Sequence, residues 1–360
     1  MNRTFRFPGI VRTRLLFQTV CILLCILLFT SSCSLIPWGG QSKKHTYSTE
    51  FFAMNTFMFI EAVGNESEKA VLAGCEKIYA LEALLSRTDP DSEISTVNDG
   101  AGIREITVSE ETFRLLENAV LLCDDTGGAF DITIAPIMDL WGFSGSAYRV
   151  PAAEEIAGTL DFVDCSGMIL DSSDFGVSFN IDGMNVDLGA IAKGYASDCV
   201  LEIMKSFDIE SALINLGGNV CVYGKKSNGE DFRVAITDPT NPNDYAGIVE
   251  ASDLNIVTSG GYERFFEENG KKYIHIMDPQ TGMPADSDLL SVSIIGTNGM
   301  QCDALSTALF VMGKDAAIQY WRDHRDFGCV LVVSETEVFA SRDLEGVFTV
   351  TEGKTLQFFD

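Results

Sequence analysis

The chain has 360 residues, 46% of them hydrophobic, and its 52 acidic against 25 basic side chains leave a formal charge of −27 at pH 7. A body so acidic repels polyanions, which excludes nucleic acid as a partner. A chain of this length can build a core without disulfide staples, so its ten cysteines, none in a C-x-x-C, read mostly as small buried apolar side chains and not as a zinc cluster; one or two bridges stay open.

Arg3, Arg6, Arg12 and Arg14 precede an apolar run at 20–29, and Ser31 and Ser32 lead into Cys33. That order predicts a secretory signal over 1–32, because the run is about half of the roughly 20 residues a membrane-spanning helix needs. Thr30-Ser31-Ser32-Cys33 resembles the lipobox of bacterial lipoproteins, although Thr30 stands where leucine is usual. The resemblance implies a lipid-modified, palmitate-bearing Cys33, against a cleaved signal with a chance cysteine. Cleavage there removes four arginines and no acids, leaving a formal charge of −31. Residues 33–48, with Pro37, Gly39, Gly40, Lys43 and Lys44, read as the lipidated cysteine and a flexible tether, and 49–360 as the folded domain. The implied address is the periplasmic side of the inner membrane. Ser34 is not the aspartate that usually signals retention there, so sorting to the outer membrane stays open.

Beyond the tether, alternation and apolar spacing predict strands at 57–63, 211–216, 232–237, 289–296 and 329–333, and helices at 68–85, 110–125, 190–207 and 303–321. The pattern is mixed α/β (α+β), as one elaborated domain or two packed lobes.

Chemistry-bearing residues fall at the joints of these elements. Thr126-Gly127-Gly128-Ala129-Phe130-Asp131, Asn215-Leu216-Gly217-Gly218-Asn219 and Thr258-Ser259-Gly260-Gly261-Tyr262 are small-residue turns. Between Asp187 and Asp198, Gly189 and Gly194 frame Ala190, Ile191, Ala192 and Lys193. Glycine there lets backbone approach a ligand, and Lys193 can neutralise a phosphate at a helix start. Asp187 serves equally as a helix cap and Lys193 as a solvated cation. His275 opens a segment running through Met277, Asp278 and Gly282 to Pro284; with His45 in the tether and His324 in a charged run, it is the histidine placed for chemistry, or else a hydrogen-bonded structural residue. Asp303, Ser306 and Thr307, at i, i+3 and i+4 of a helix beginning there, put a carboxylate and two hydroxyls on one face. Such oxygens suit Mg²⁺, and Asp303 suits an N-cap equally well. The common phosphate-loop, zinc-protease and dinucleotide signatures are absent from the sequence.

Taken in order, and with Met54-Asn55-Thr56, Asp91-Ser92-Glu93-Ile94-Ser95 and Leu140-Trp141-Gly142-Phe143, these segments resemble the ApbE family of FAD:protein FMN transferases over residues 54–349. The resemblance implies a single ApbE-like domain related to the T-fold, in an exported lipoprotein that cuts FAD with Mg²⁺. The FMN half would pass through a phosphoester to a threonine of a partner protein, releasing AMP. Carried over residue by residue, it implies FAD contacts from Met54, Asn55, Ala129, Phe130, Asp131, Asp187, Lys193 and Met277. It implies Mg²⁺ ligands from the Ala190 carbonyl, Asp303, Ser306 and Thr307. For proton removal from the acceptor hydroxyl the candidate is His275, with Asp303 as the alternative. The implied acceptors are subunits of sodium-pumping NADH:quinone reductase and Rnf-type complexes. Two positions depart from the family pattern: Asn55 replaces a glycine, and Thr88 replaces an aromatic residue able to stack on the flavin. An amide at Asn55 beside the flavin or pyrophosphate would alter how tightly FAD is retained, and Thr88 removes a stacking platform. With water as acceptor the same site would be a Mg²⁺-dependent FAD pyrophosphatase giving FMN and AMP, and a non-catalytic FAD-binding lipoprotein is the reading from a different class.

Overall fold

The computed structural model describes residues 45–145 and 147–360; the signal peptide, Cys33 and residues 33–44 of the tether lie outside the described residues. β1 (Thr46–Ala53) and β2 (Thr56–Gly64) form a hairpin whose outer strand alternates exposed and half-buried residues. Its two-residue turn has both φ values positive, 46° at Met54 and 60° at Asn55, the combination that matches the right-handed twist of the strands. Thr46, Tyr47 and Ser48, expected in the tether, pair with Val63, Ala62 and Glu61, so the folded body starts earlier than position 49.

The hairpin opens a nine-stranded sheet whose strands lie side by side in chain order: β1, β2, β3 (Ile209–Leu216), β4 (Asn219–Gly224), β5 (Leu254–Gly260), β6 (Ser291–Gly296), β7 (Gly328–Val332), β8 (Glu337–Ser341) and β9 (Thr355–Phe359). Neighbours are antiparallel except β8 and β9. Among the described residues eight helices accompany it: α1 (Ser67–Leu85), α2 (Glu93–Asp99), α3 (Glu110–Asp125), α4 (Ala135–Trp141), α5 (Ala153–Leu160), α6 (Ala192–Ser206), α7 (Gly299–Met312) and α8 (Lys314–His324). Mixed α/β architecture is the expectation, and it is what the chain forms.

One face of the sheet buries Met58, Ile60, Ile214 and Leu216 under Val71, Ile78 and Leu81 of α1 and Val200 and Met204 of α6. The other buries Val222, Ile256, Ile295 and Val330 against Val234, Ile236 and Val249 of a three-stranded sheet (Phe232–Asp238, Asn241–Ala251 and Phe348–Val350). Covered on both faces, β6 and β7 are buried at every residue, the serines of β6 included. Each fully buried Leu, Ile, Val or Met contributes about 1.5–3 kcal/mol.

The helix expected at 303–321 is two. α7 starts four residues earlier, where the Asn298 side chain accepts the Gln301 amide, and stops at Gly313, whose φ of 78° breaks the spiral before α8. Register places the Met54-Asn55 turn, the Gly217-Gly218 turn and the C-terminal end of β5 at one end of the sheet, since Met58 pairs with Leu216 and Ile256 with Val220. Thr56 packs so closely on Gly217 that a Cβ there would meet its Oγ1 at 2.4 Å. Among the described residues no helix is long and apolar enough to cross a membrane.

Candidate functional site

α6 and α7 meet through glycine. A Cβ on Gly194 would stand 2.2 Å from the Gly299 carbonyl oxygen, and one on Gly299 would be 2.8 Å from the Gly194 oxygen. At this contact the helices exchange carboxylates. Asp198 of α6 accepts the first amides of α7, Gly299 at 2.7 Å and Met300 at 2.9 Å, and burial pushes its carboxyl above the usual range despite them. Asp303 of α7, 4% exposed, accepts the Gly194 amide at 2.9 Å. It therefore caps α6, whose own N-cap, Ile191, has no polar side chain to offer. Gly194 is the third residue of α6, and the amides of a helix's first turn have no intrahelical partner. The Ala190 carbonyl, one residue before the N-cap, accepts no hydrogen bond among the described residues.

One turn beyond Asp303 the two hydroxyls read as a pair are separated by their surroundings. Ser306 is fully buried and donates to the Asp303 carbonyl at 2.8 Å, so towards Ser259 of β5, at 2.7 Å, it can only accept. Thr307 is half-buried and lies 3.2 Å from the same Ser259 hydroxyl. The Ser306 hydroxyl thus holds Ser259 in place. The groups that could hold a cation here are the Ala190 carbonyl, the Asp303 carboxylate and the hydroxyls of Ser306, Thr307 and Ser259. All are oxygens, the donor set that Mg²⁺ prefers.

Beside this nest stand ionisable groups from three segments. Lys193 is half-buried near the start of α6, its Nζ donating to the Gly189 carbonyl at 3.3 Å. The chain leaving β5 brings Glu263, whose carboxyl is pushed up to about 7, first by desolvation and then by Asp303, against the opposing pull of Lys193. His275 follows the hairpin formed by Phe265–Glu268 and Lys271–Ile274. Its Nδ1 lies 3.1 Å from the Arg264 carbonyl, an atom that can only accept, so the proton sits on Nδ1 and Nε2 keeps its lone pair. Desolvation, then Arg264, then Lys193 depress this ring to about 4, so it is neutral at pH 7.

The other expected contacts distribute differently. Met54 donates its amide to Glu82 at 2.7 Å, and its half-buried side chain packs on the main core. Asn55 is exposed, and its φ of 60° is a conformation that glycine and asparagine adopt most readily, so the departure from glycine preserves the turn. Ala129 and Phe130 are core residues at 8% and 2% exposure. Asp131 is buried and braces its own loop, accepting from Thr133 and from the Cys165 amide; burial pushes its carboxyl up. The Met277 side chain lies in a cluster with Ile137, Trp141, Phe143 and Ile156. Asp187 does not cap α6: one oxygen holds the Gly189 amide at 2.8 Å and the other is 3.5 Å from Arg87, whose guanidinium grips Asp139.

Glu263, Ser259 and Asp198 sit in this site without a role read from the sequence. Asp198 had a signal, an acid closing the Asp187 to Asp198 segment. Ser259 was read in a turn but ends a strand, which is what aims it at α7. Glu263 had none, since its position depends on how the chain leaves β5.

The ApbE family profile matches residues 54–331. The chain is 31% identical to the FAD:protein FMN transferase of Treponema pallidum, over 92% of this chain and 95% of that one. It is 33% identical to one of Klebsiella pneumoniae, over 84% and 93%. Among solved structures, the ApbE protein of Thermotoga maritima matches with a TM-score of 0.75 at 32% identity, covering 86% of this chain and 97% of that one. The flavin transferase ApbE of Vibrio cholerae matches with a TM-score of 0.76 at 26% identity, covering 84% and 99%.

Proposed function

The chain belongs to the ApbE family, and on that premise we propose that it is an FAD:protein FMN transferase. It moves the FMN part of FAD to a threonine hydroxyl of an exported or membrane redox protein, with Mg²⁺ as cofactor and AMP as leaving group. The observation that carries this reading is the buried Asp303 carboxylate, held by the Gly194 amide and one helical turn from Thr307, together with an Ala190 carbonyl that accepts no hydrogen bond among the described residues. Bound among Ala190, Asp303 and Thr307, Mg²⁺ would supply charge neutralisation at the pyrophosphate.

The chain's own residues account for the rest. Lys193 adds the cation that a body of this net charge otherwise lacks for an anionic substrate. His275, neutral and with Nε2 open, takes the proton from the acceptor threonine. The threonine oxygen attacks the FMN phosphorus in line; the new phosphoester forms as the bond to the AMP oxygen breaks. The acceptors that fit are membrane redox subunits of the sodium-pumping NADH:quinone reductase and Rnf types. A lipid on Cys33, holding the body on the periplasmic side of the inner membrane, would keep the site beside them.

The full chain in detergent, incubated with FAD, Mg²⁺ and such a subunit, should release AMP while the acceptor gains the mass of FMN. Asp303→Asn should abolish both. Free FMN with an unmodified acceptor would make the activity FAD hydrolysis, and no AMP under any condition would overturn both enzymatic readings.

A further inference from the structure

Away from the nest, α3 and the short turn Cys165–Gly167 press two thiols together. Cys123 is 5% exposed and Cys165 1%. The two sulfurs and a carboxylate oxygen of Asp131 all lie within 4.8 Å of one another. They stand in the wall of an open depression of about 390 Å³ that is also lined by Gly127, Gly128 and Gln280.

We propose that Cys123 and Cys165 form a disulfide that ties the last turn of α3 to the turn after α5 and closes off the loop carrying Ala129, Phe130 and Asp131. Each thiol gives up one hydrogen and the sulfur–sulfur bond forms. The two electrons and two protons pass to an external disulfide oxidant of the glutathione class, which leaves as two thiols.

Charge decides for a bridge over a metal. Two thiolates and the Asp131 carboxylate around a divalent cation would leave a net negative charge in a buried place already flanked by Asp124 and Asp164. The Asp131 oxygens are, moreover, taken up by Thr133 and the Cys165 amide. A disulfide is neutral and keeps those bonds. The apposed Cys165 thiol, then burial, hold the Cys123 thiol protonated, so the folded pair exchanges slowly. The bridge forms as the chain folds and afterwards resists reduction. The reading stands independently of the transferase assignment.

The test is peptide mapping of the full chain folded in a glutathione redox buffer, denatured and alkylated without reductant. The expected result is a fragment joining the segments around positions 123 and 165, lost on reduction, with the other five described cysteines alkylated. Reductant should lower the melting temperature of the wild type and leave that of the Cys123→Ser, Cys165→Ser double variant unchanged. Should that variant not fold, the wild-type map decides alone. Separate alkylation of Cys123 and Cys165 at every glutathione ratio would overturn the proposal, as would stoichiometric metal released by a chelator from a protein with both thiols free.

Discussion

A single methyl group tests the contact that builds the nest. In Gly194→Ala the new Cβ would stand 2.2 Å from the Gly299 oxygen and 2.7 Å from the Asp303 Cβ, where ordinary contact begins at 3.4 Å. The backbone oxygen cannot turn aside, so α6 and α7 must part by roughly 1 Å, an overpacking that costs about 1–3 kcal/mol. That shift carries the 2.9 Å bond from Gly194 to Asp303 out of hydrogen-bonding range. Loss of a bond to a charged group costs about 1.5–3 kcal/mol more, while alanine's better helix propensity returns about 1 kcal/mol. The net is a loss of about 2–5 kcal/mol, a large share of the 5–15 kcal/mol that holds a typical domain.

Two measurements read it out. Urea unfolding should show the lower midpoint, and FAD turnover against Mg²⁺ should show a higher half-saturating concentration, because the Asp303 carboxylate is no longer held. Gly158→Ala in α5 is the control: its Cβ meets nothing within 4 Å, so stability should rise by up to about 1 kcal/mol. Wild-type stability together with a wild-type Mg²⁺ requirement in Gly194→Ala would refute the account of the α6 and α7 junction.

Thr307→Val, which keeps the shape and removes the hydroxyl, should raise half-saturating Mg²⁺ by at least about tenfold, the scale of a lost supporting group at a metal site. Ser306→Ala should instead lower the unfolding free energy by about 1–2 kcal/mol with a much smaller change in the Mg²⁺ requirement; equal effects in the two variants would contradict their separation. The ring of His275 is depressed from 6.5 to about 4. Between those values the unfolded chain binds more protons, so stability present above pH 6.5 is lost as pH falls through 4. The loss is at most about 3 kcal/mol at 1.36 kcal/mol per unit, and less because the ring is only half-buried. Glu263, raised to about 7, runs the other way, stabilising below 4.5 and losing that contribution above 7. Unfolding free energies of wild type and His275→Gln at pH 7 and pH 4 isolate the histidine; an unchanged difference would show that it does not titrate in this window.

What the sequence disclosed follows from which forces are local. α3 runs over 110–125 as its apolar spacing predicts, and β2, β3 and β7 lie where alternation or unbroken apolar runs put them. The 303–321 helix failed because its apolar pattern continues across Gly313, and only the positive φ there divides it. Ser306 and Thr307 are chemically equivalent in the sequence; packing against a strand 47 positions away buries the first and leaves the second half-exposed. Asp303 posed a choice, cap or metal ligand, that the chain does not make. One of its oxygens caps a helix, but the helix is α6, and the other accepts no hydrogen bond among the described residues, which leaves it for a ligand. Capping and ligand supply are then a single act.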